Sequence, residues 1–244
     1  MNQSVEELLV YDECAPCPYL PERSARMPLR YPLQQLTSAQ MDSCLAAGDR
    51  RSGEFLYRTE CPGCRACEAI RLEVSRFVPR RTQRRVLRRG DRVFSMDVGP
   101  PVVNLERVAL YNAHREARKL DCRDGPIDVD SYRSFLVDSC CETFEMRYRI
   151  GDRLVAVGIC DRGKNSMSAV YCFFDPRYSR LSPGVYSVLK QIELCQRDNV
   201  RYLYLGYYIA DSPHMRYKAN YLPHERMING QWQEFSEHLP ATVG

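Results

Sequence analysis

Three β-rich runs follow one another between residues 144 and 174, and this feature limits the possible folds of the chain most strongly. The runs are FEMRYRI, LVAVGIC and MSAVYCFF, joined by a Gly151-Asp152 turn and by the polar segment DRGKNS. Connections of this length place consecutive strands antiparallel, because a parallel pair needs a long crossover. The sequence therefore predicts an antiparallel meander.

A long helix and a buried strand come after the meander. In LSPGVYSVLKQIELCQRDN (181–199), Ser182 is the predicted N-cap and Pro183 takes the first helical position. RYLYLGYYI (201–209) has the apolar and aromatic content of a buried strand. The segments MRYKANYLPHERMI and GQWQEF are predicted as further strands.

Two helices come before the meander. Asn104 is positioned to cap the first, and Asp128 or Asp130 to cap the second. The resulting order is helix, helix, three antiparallel strands, helix, strand. This order is typical of an α+β fold of the N-acetyltransferase-like (GNAT-like) type.

The segment VGPPVVN (98–104) is a predicted linker, because paired prolines interrupt regular structure. The first part of the chain holds paired cysteines, dense arginine and short apolar runs, whereas the second part has the regular order above. We therefore predict two parts: a Cys/Arg-rich N-terminal module over residues 1–97 and a GNAT-like domain over residues 105–244.

The start of the long helix bears on an acyl-CoA N-acetyltransferase activity. Enzymes of that class hold the coenzyme A pyrophosphate on backbone N–H groups of a tight glycine pattern. Here the sequence is RLSPGVYS, with one proline and the single glycine Gly184, which argues against coenzyme A. Ser182 and Gly184 at a helix N-terminus still suit a single phosphate, and the alternative is an ordinary capped core helix.

The stretch RFVPRRTQRRVLRRGDR (76–92) carries the densest positive charge. A helix over residues 80–89, ended by Gly90, would align its arginines in two neighbouring i, i+4 rows about 15 Å long. Like charges at this spacing repel, so a polyanion would stabilise the helix. The predicted phosphate contacts are Arg80, Arg81, Arg84, Arg85 and Arg88, and the alternative is a solvated charged face.

Five cysteines have the spacing of metal ligands, in CAPC and CPGCRAC. They are Cys14, Cys17, Cys61, Cys64 and Cys67. Zinc and iron–sulfur sites draw thiolates from two short loops, and this set offers one ligand more than the usual four. A redox dithiol fits less well, because neither pair lies between a strand and a helix. Two interpretations stay open: a structural zinc or iron–sulfur site, and reduced cysteines that serve packing.

Composition limits the class of protein. The first residues lack the basic start and apolar run of a signal peptide, and no apolar stretch approaches the ~18 residues of a membrane helix. We expect a cytoplasmic protein without a membrane partner, in which the 12 cysteines stay reduced. The 35 Lys+Arg and 31 Asp+Glu residues leave a net charge of only +4, so charge distribution matters more than the total.

Several motifs together resemble the aminoacyl-tRNA–protein transferase family, from about Cys14 to Trp232. They are CPYLPERSAR, RRSGEFLYRTECPGCRACEAIRLEVSRFVPRRTQRR, SMSAVYCFFDP, LSPGVYSVL, YLYLGYYI and MRYKANYLP. The family includes bacterial aspartate/glutamate leucyltransferases and arginyltransferases. The resemblance implies transfer of leucine from charged tRNA to the α-amino group of proteins that begin with Asp or Glu, which marks them for degradation. The CAPC pair and LSPGVYS are closer to the arginyltransferases, so arginine is the alternative donor.

This chemistry needs no cofactor, because the aminoacyl ester is already activated and the enzyme has only to position an amine and accept a proton. Arg50, Arg51 and Ser52 match the family's RRSG block, where an arginine can pair with the acceptor carboxylate. The predicted catalytic residues are Tyr171, Tyr207 and Lys218, with core packing as the alternative role for each tyrosine. A metal-dependent nucleic-acid-binding module without catalysis is the remaining rival.

Overall fold

The structure is a computed structural model, which describes residues 5–120 and 125–237. The strands are β1 (Glu7–Tyr11), β2 (Cys14–Pro16), β3 (Ser24–Arg26), β4 (Leu29–Pro32), β5 (Arg50–Ser52), β6 (Phe55–Tyr57), β7 (Glu68–Glu73), β8 (Ser95–Gly99), β9 (Thr143–Ile150), β10 (Arg153–Arg162), β11 (Ser166–Phe174), β12 (Tyr202–Tyr208), β13 (His224–Ile228) and β14 (Gln231–Phe235). The α-helices are α1 (Ser38–Ala46), α2 (Arg81–Val93), α3 (Leu105–Arg118), α4 (Val129–Tyr132) and α5 (Pro183–Arg197). Across these described ranges, no helix is both long and apolar enough to span a membrane.

Eight strands form the central sheet, in the order β14-β13-β7-β12-β11-β10-β9-β8. The antiparallel meander β9-β10-β11 is confirmed. β11 and β12 are the one parallel pair in this sheet, because α5 carries the chain back across it between the two strands. The chain has a mixed α+β fold.

β11 and β12 remain paired over only three residues each, from Ser166 opposite Tyr202 to Ser168 opposite Tyr204. Both strands continue beyond this point without pairing to each other. β12 also contains a bulge between Tyr204 and Gly206, where glycine adopts a left-handed backbone with φ of +87°. The sheet therefore opens into a gap between the second halves of the two strands.

The central sheet includes strands from both sides of the 98–104 segment. β7 and β8 precede it in the chain, yet β7 lies between β12 and β13, and β8 pairs with β9. The division predicted at residues 98–104 therefore does not coincide with a break in the sheet. Distant strand pairing, which local composition does not encode, joins the two parts.

The two faces of the sheet carry different layers, because side chains alternate along a strand. On β12, Leu205 and Tyr208 contribute to the core that α5 and α2 cover. Tyr204 and Tyr207 point to the opposite face. There α1 packs near β12, while α3 and α4 cover β10 and β11. A second sheet, in the order β1-β4-β6-β5, lies beside α1.

Two predicted helix starts are confirmed. The Asn104 side chain accepts a hydrogen bond from the backbone N–H of Arg107 at 2.9 Å at the start of α3, and Ser182 precedes Pro183 at the start of α5. At the start of α4, Asp128 rather than Asp130 accepts from the backbone N–H of Ser131 at 2.8 Å.

Gly90 does not end α2, so that prediction is wrong. The helix continues to Val93, and Gly90 faces the ring of Tyr186 on α5. A Cβ at this position would lie 2.3 Å from the ring, so the glycine permits close packing of α2 on α5. The predicted strand from Met215 is also wrong in its first half, because Arg216–Asn220 forms a 3₁₀ turn before β13.

Candidate active site at the gap between two strands

Arg50 reaches the gap from β5. Its guanidinium donates to Ser168 Oγ at 3.1 Å and to the backbone carbonyl of Ala169 at 3.0 Å. Ala169 directly follows the last residue of β11 that pairs with β12. Arg50 is buried, and within the described residues no carboxylate forms an ion pair with it. The site therefore contains a buried cation without an internal counter-charge.

Lys218 reaches the same gap from the 3₁₀ turn. Its Nζ donates to the backbone carbonyl of Tyr207 at 2.8 Å, on the β12 side. A Cβ built on Gly206 would lie 3.3 Å from both Lys218 Nζ and Arg50 Nη2, so both cations lie against this glycine. Burial, together with the neighbouring Arg50 guanidinium, lowers the pKa of Lys218 to about 7. The lysine is therefore able to exchange a proton near neutral pH.

Aromatic hydroxyl groups line the wall beside the two cations. Tyr207 lies edge-on to Tyr57 at 6.3 Å between ring centroids, and its hydroxyl donates to the carbonyl of Gly48 at 3.4 Å. Tyr19 shares a hydrogen bond with Tyr57. Burial raises the pKa of all three tyrosines, so their hydroxyls stay protonated and serve as neutral donors.

Tyr171 is not brought to this wall. It packs in an aromatic cluster with Tyr111 at 5.4 Å and Phe135 at 5.9 Å between ring centroids, under α3. Its described contacts do not include Tyr207 or Lys218. The structure therefore separates Tyr171 from the other two predicted catalytic residues, and packing explains its position.

Arg51 does not reach the strand gap, contrary to the prediction that groups it with Arg50. Its side chain is fully buried and donates through Nε to both carboxylate oxygens of Asp161 at 2.9 and 3.0 Å. Thr143 adds a hydroxyl donor to the same carboxylate at 2.7 Å. Adjacent residues of a strand point to opposite sides, so Arg50 and Arg51 have separate roles. Ser52 ends β5 and is only partly buried.

The predicted arginine helix is present as α2. Arg81, Arg84, Arg85 and Arg88 are exposed, and within the described chain no carboxylate pairs with them. Arg80 is the N-cap residue, with its backbone N–H bonded to Gln83 Oε1 at 2.8 Å. This surface, from Arg80 to Arg88, is named the arginine ridge. Its role in tRNA binding stays a prediction.

The start of α5 lies beside the arginine ridge. Arg89 donates to the backbone carbonyl of Arg180, just before α5, and Gly90 packs on Tyr186. Ser182 has a left-handed backbone with φ of +57° and makes no side-chain cap. Gly184 has room for a Cβ, at an ordinary 3.7 Å from Phe174, so packing alone does not require glycine there. The predicted phosphate contacts thus occupy one side of the molecule.

Four of the five predicted metal ligands lie together. Burial, together with the neighbouring thiols of Cys17, Cys61 and Cys64, raises the pKa of Cys67 to about 12. Cys14 is exposed on β2 and is not among these neighbours. The thiol of Cys64 instead accepts a hydrogen bond from Arg23 at 3.2 Å.

No group of three Cys, His, Asp or Glu side chains among residues 5–120 and 125–237 is arranged to hold a metal ion. The thiols of Cys17, Cys61 and Cys64 are nevertheless near enough to Cys67 to raise its pKa. A zinc or iron–sulfur site stays a prediction, for which Cys17, Cys61, Cys64 and Cys67 are better placed than Cys14.

Comparison with known proteins identifies the family of this chain. The family model described as arginine-tRNA-protein transferase, C terminus, matches residues 106–228, and the model for the N terminus matches residues 15–85. The aspartate/glutamate leucyltransferase of Thiobacillus denitrificans is 42% identical over 221 residues, which cover 89% of this chain and 90% of the relative. The chain belongs to the arginine-tRNA-protein transferase family.

A second relative in this transferase family is the aspartate/glutamate leucyltransferase of Acinetobacter baylyi, 35% identical over 91% of this chain and 82% of the relative. Among solved structures, FemX is similar with a TM-score of 0.47 and 6% identity, over 77% of this chain and 64% of FemX.

Sequence reasoning missed Tyr19, Tyr57, Gly206 and Ser168 as parts of the site in this family member. One signal was available, because a glycine inside a predicted strand indicates a bulge or a close approach of another group. Gly206 in YLYLGYYI lies at a bulge, and Arg50 and Lys218 also approach it closely. The other three residues are brought to the gap by contacts between distant segments, which a local pattern does not reveal.

Proposed function

We propose that this chain transfers leucine from Leu-tRNA to the α-amino group of proteins that begin with Asp or Glu, and so marks them for degradation. One observation carries the proposal: Arg50 and Lys218 are buried at the strand gap, and no described carboxylate neutralises them. An acidic side chain from the acceptor would supply that charge in a bidentate pair with Arg50. The names of the curated relatives support the same donor and acceptors.

Leucine suits the site better than arginine as the transferred residue. Four carboxylates among the described residues are buried, and each is already paired with an arginine: Asp49, Glu145, Asp161 and Asp175. An arginyl donor would bring a second guanidinium beside Arg50, and because the acceptor carboxylate pairs with Arg50, no buried carboxylate would remain to neutralise it, which is costly in a buried site. A neutral donor side chain avoids this cost.

The reaction needs one proton acceptor. The acceptor's neutral amine nitrogen attacks the ester carbonyl and Lys218 in its neutral form takes the amine proton. The bond to the ribose oxygen then breaks as Lys218 passes that proton to the oxygen, which restores the neutral lysine. A peptide bond and free tRNA result. The pKa of Lys218, lowered to about 7, suits this role.

We also propose that the fold is GNAT-like with a Cys/Arg-rich N-terminal module. The parallel pair β11–β12, joined through α5 and opening into a gap, supports this interpretation. The start of α5 lacks the glycine pattern that would hold coenzyme A, so the acyl donor is better explained as an aminoacyl ester.

One assay tests the function. The protein is incubated with radiolabelled Leu-tRNA or Arg-tRNA and with peptides that begin with Asp, Glu or Ala. We expect label on the Asp and Glu peptides from Leu-tRNA only. Transfer from Arg-tRNA would mean that arginine is a donor amino acid of this protein. Absence of transfer from both charged tRNAs would contradict the proposed function.

Replacing Arg50 by lysine tests the acceptor site. We expect KM for Asp and Glu peptides to rise roughly 10- to 100-fold, because a charged hydrogen-bond pair is lost, while KM for Leu-tRNA stays unchanged. Arg133→Lys is the matched control, since it makes the same substitution at an exposed arginine beside α4, away from the strand gap. An equal loss with every acceptor, or weaker tRNA binding, would give Arg50 a different role.

Replacing Arg84, Arg85 and Arg88 together by alanine tests the arginine ridge. We expect weaker tRNA binding and a salt dependence whose slope falls by roughly one for each lost phosphate contact. Arg133→Ala, an exposed arginine beside α4, is the control. An unchanged slope in the triple variant would mean that the ridge is only a solvated charged face.

A further inference from the structure

A cavity of about 280 Å³ adjoins the candidate active site. It lies between three loops, which are the turn after α1, the CPGCRAC loop and the turn between β13 and β14, and residues of strands β7 and β12 complete its walls. The lining residues used below are Ala47, Gly48, Arg65, Cys67, Tyr207 and Asn229. Neither the arginine ridge nor α5 contributes to its walls.

Tyr207 connects the cavity to the strand gap. Its ring lines the cavity, while its backbone carbonyl accepts the hydrogen bond from Lys218 Nζ at 2.8 Å. Cys67 also lines the cavity and is close enough to Lys218 to affect its pKa. A chain whose first residue lies at Lys218 therefore has this cavity directly beside it.

The cavity and the arginine ridge lie on opposite faces of the sheet. Tyr207 and Tyr208 are consecutive on β12 and point to opposite sides: Tyr208 into the core under α5, and Tyr207 into the cavity wall. The arginine ridge is on α2, which packs against α5. A tRNA on the ridge would leave the cavity free for a second substrate.

The lining of the cavity suits polypeptide. Ala69, Met227 and Ile228 supply apolar surface, and Thr59, Asn229 and the backbone of Gly48 supply polar groups. Arg65 is exposed, its guanidinium donates to the backbone carbonyls of Cys61 and Cys64, and within the described residues it has no ion-pair partner. The one unpaired charge of the lining is therefore positive.

We propose that this cavity holds the second and third residues of the acceptor protein, and that Arg65 favours an acidic side chain among them. The inference rests on the proposed function, because it extends the acceptor chain from the site at Arg50 and Lys218. It adds a peptide subsite that recognises sequence beyond the first residue.

Filling the cavity tests the subsite. Ala47→Trp places a large ring in it, and Ala46→Trp is the matched control, since Ala46 is also exposed but does not line the cavity. We compare aspartic acid amide with a decapeptide that begins with Asp, using Leu-tRNA as donor. Ala47→Trp should lower kcat/KM for the decapeptide roughly tenfold or more, through steric clash, and leave the amide unaffected.

Arg65→Glu gives an independent readout if the tryptophan variant fails to fold. We expect KM to rise about two- to fivefold for a peptide with Glu at position two and to fall for one with Lys there. Equal effects of Ala47→Trp on amide and decapeptide, or no change of preference in Arg65→Glu, would overturn the inference. Absence of transfer by the wild-type protein to any acceptor would overturn the proposed function itself, and the subsite with it.

Discussion

Replacing Lys218 by methionine is expected to lower the rate of aminoacyl transfer roughly 10²- to 10⁴-fold, the range for loss of a general base. Lys218 is buried at the strand gap, and its Nζ is held by the carbonyl of Tyr207 at 2.8 Å. Methionine keeps the length of the side chain and removes the amine. Single-turnover transfer from Leu-tRNA to an Asp peptide measures the effect.

The direction of the pH dependence distinguishes two roles of Lys218. As a proton acceptor it must be neutral, so the rate should rise as pH increases through its pKa of about 7. If Lys218 only bound an anion, the rate would fall over the same range. The acceptor amine loses its proton near pH 8, which also raises the rate. The methionine variant should therefore keep the rise in rate near pH 8 and lose the rise near pH 7.

Stability measurements separate loss of the base from loss of the fold. Because the folded pKa of Lys218 lies below its ordinary value of 10.5, the unfolded chain binds more protons between these values. The free energy of unfolding of the wild-type protein should therefore increase as pH rises from about 7 toward 10.5. The methionine variant should lack this increase. An inactive variant that is also less stable than wild type at pH 7 would contradict the assignment.

Replacing Asp161 by asparagine is expected to destabilise the protein by about 3–5 kcal/mol, the usual cost of leaving one partner of a buried ion pair alone. The carboxylate accepts two hydrogen bonds from Arg51 and one from Thr143, and both side chains of the ion pair are fully buried. The shift in the midpoint of urea unfolding measures the loss, provided that the slope of the free energy of unfolding against urea concentration is unchanged.

An exposed pair provides the control for this prediction. Asp130→Asn breaks the ion pair with Arg133, and because both side chains are largely exposed the change should stay within about 0.5 kcal/mol. The double variant R51M/D161M removes both charges and should recover much of the stability lost in the single variant. A loss below about 1 kcal/mol in Asp161→Asn would mean that water or neighbouring groups already compensate Arg51.

Helix α2 shows which features a local sequence pattern predicts and which it does not. The arginine rows lie on a helix as predicted, because spacing along one segment determines which residues share a helix face. The end of that helix was misplaced, because the role of Gly90 depends on Tyr186, 96 residues away in the chain. Termination by glycine is a local preference, and close helix packing overrides it here.

Local patterns predict the meander, the helix that follows it and the side-chain cap at Asn104, because each of these depends on residues close together in the chain. Several motifs along the chain together predict the family. Tertiary packing, by contrast, sets which of the adjacent Arg50 and Arg51 faces the site. That choice depends on partners more than one hundred residues away, Ser168 for one and Asp161 for the other. Alternation along β5 sends two identical side chains to opposite sides, and only the packed neighbours make one a candidate ligand of substrate and the other part of the core.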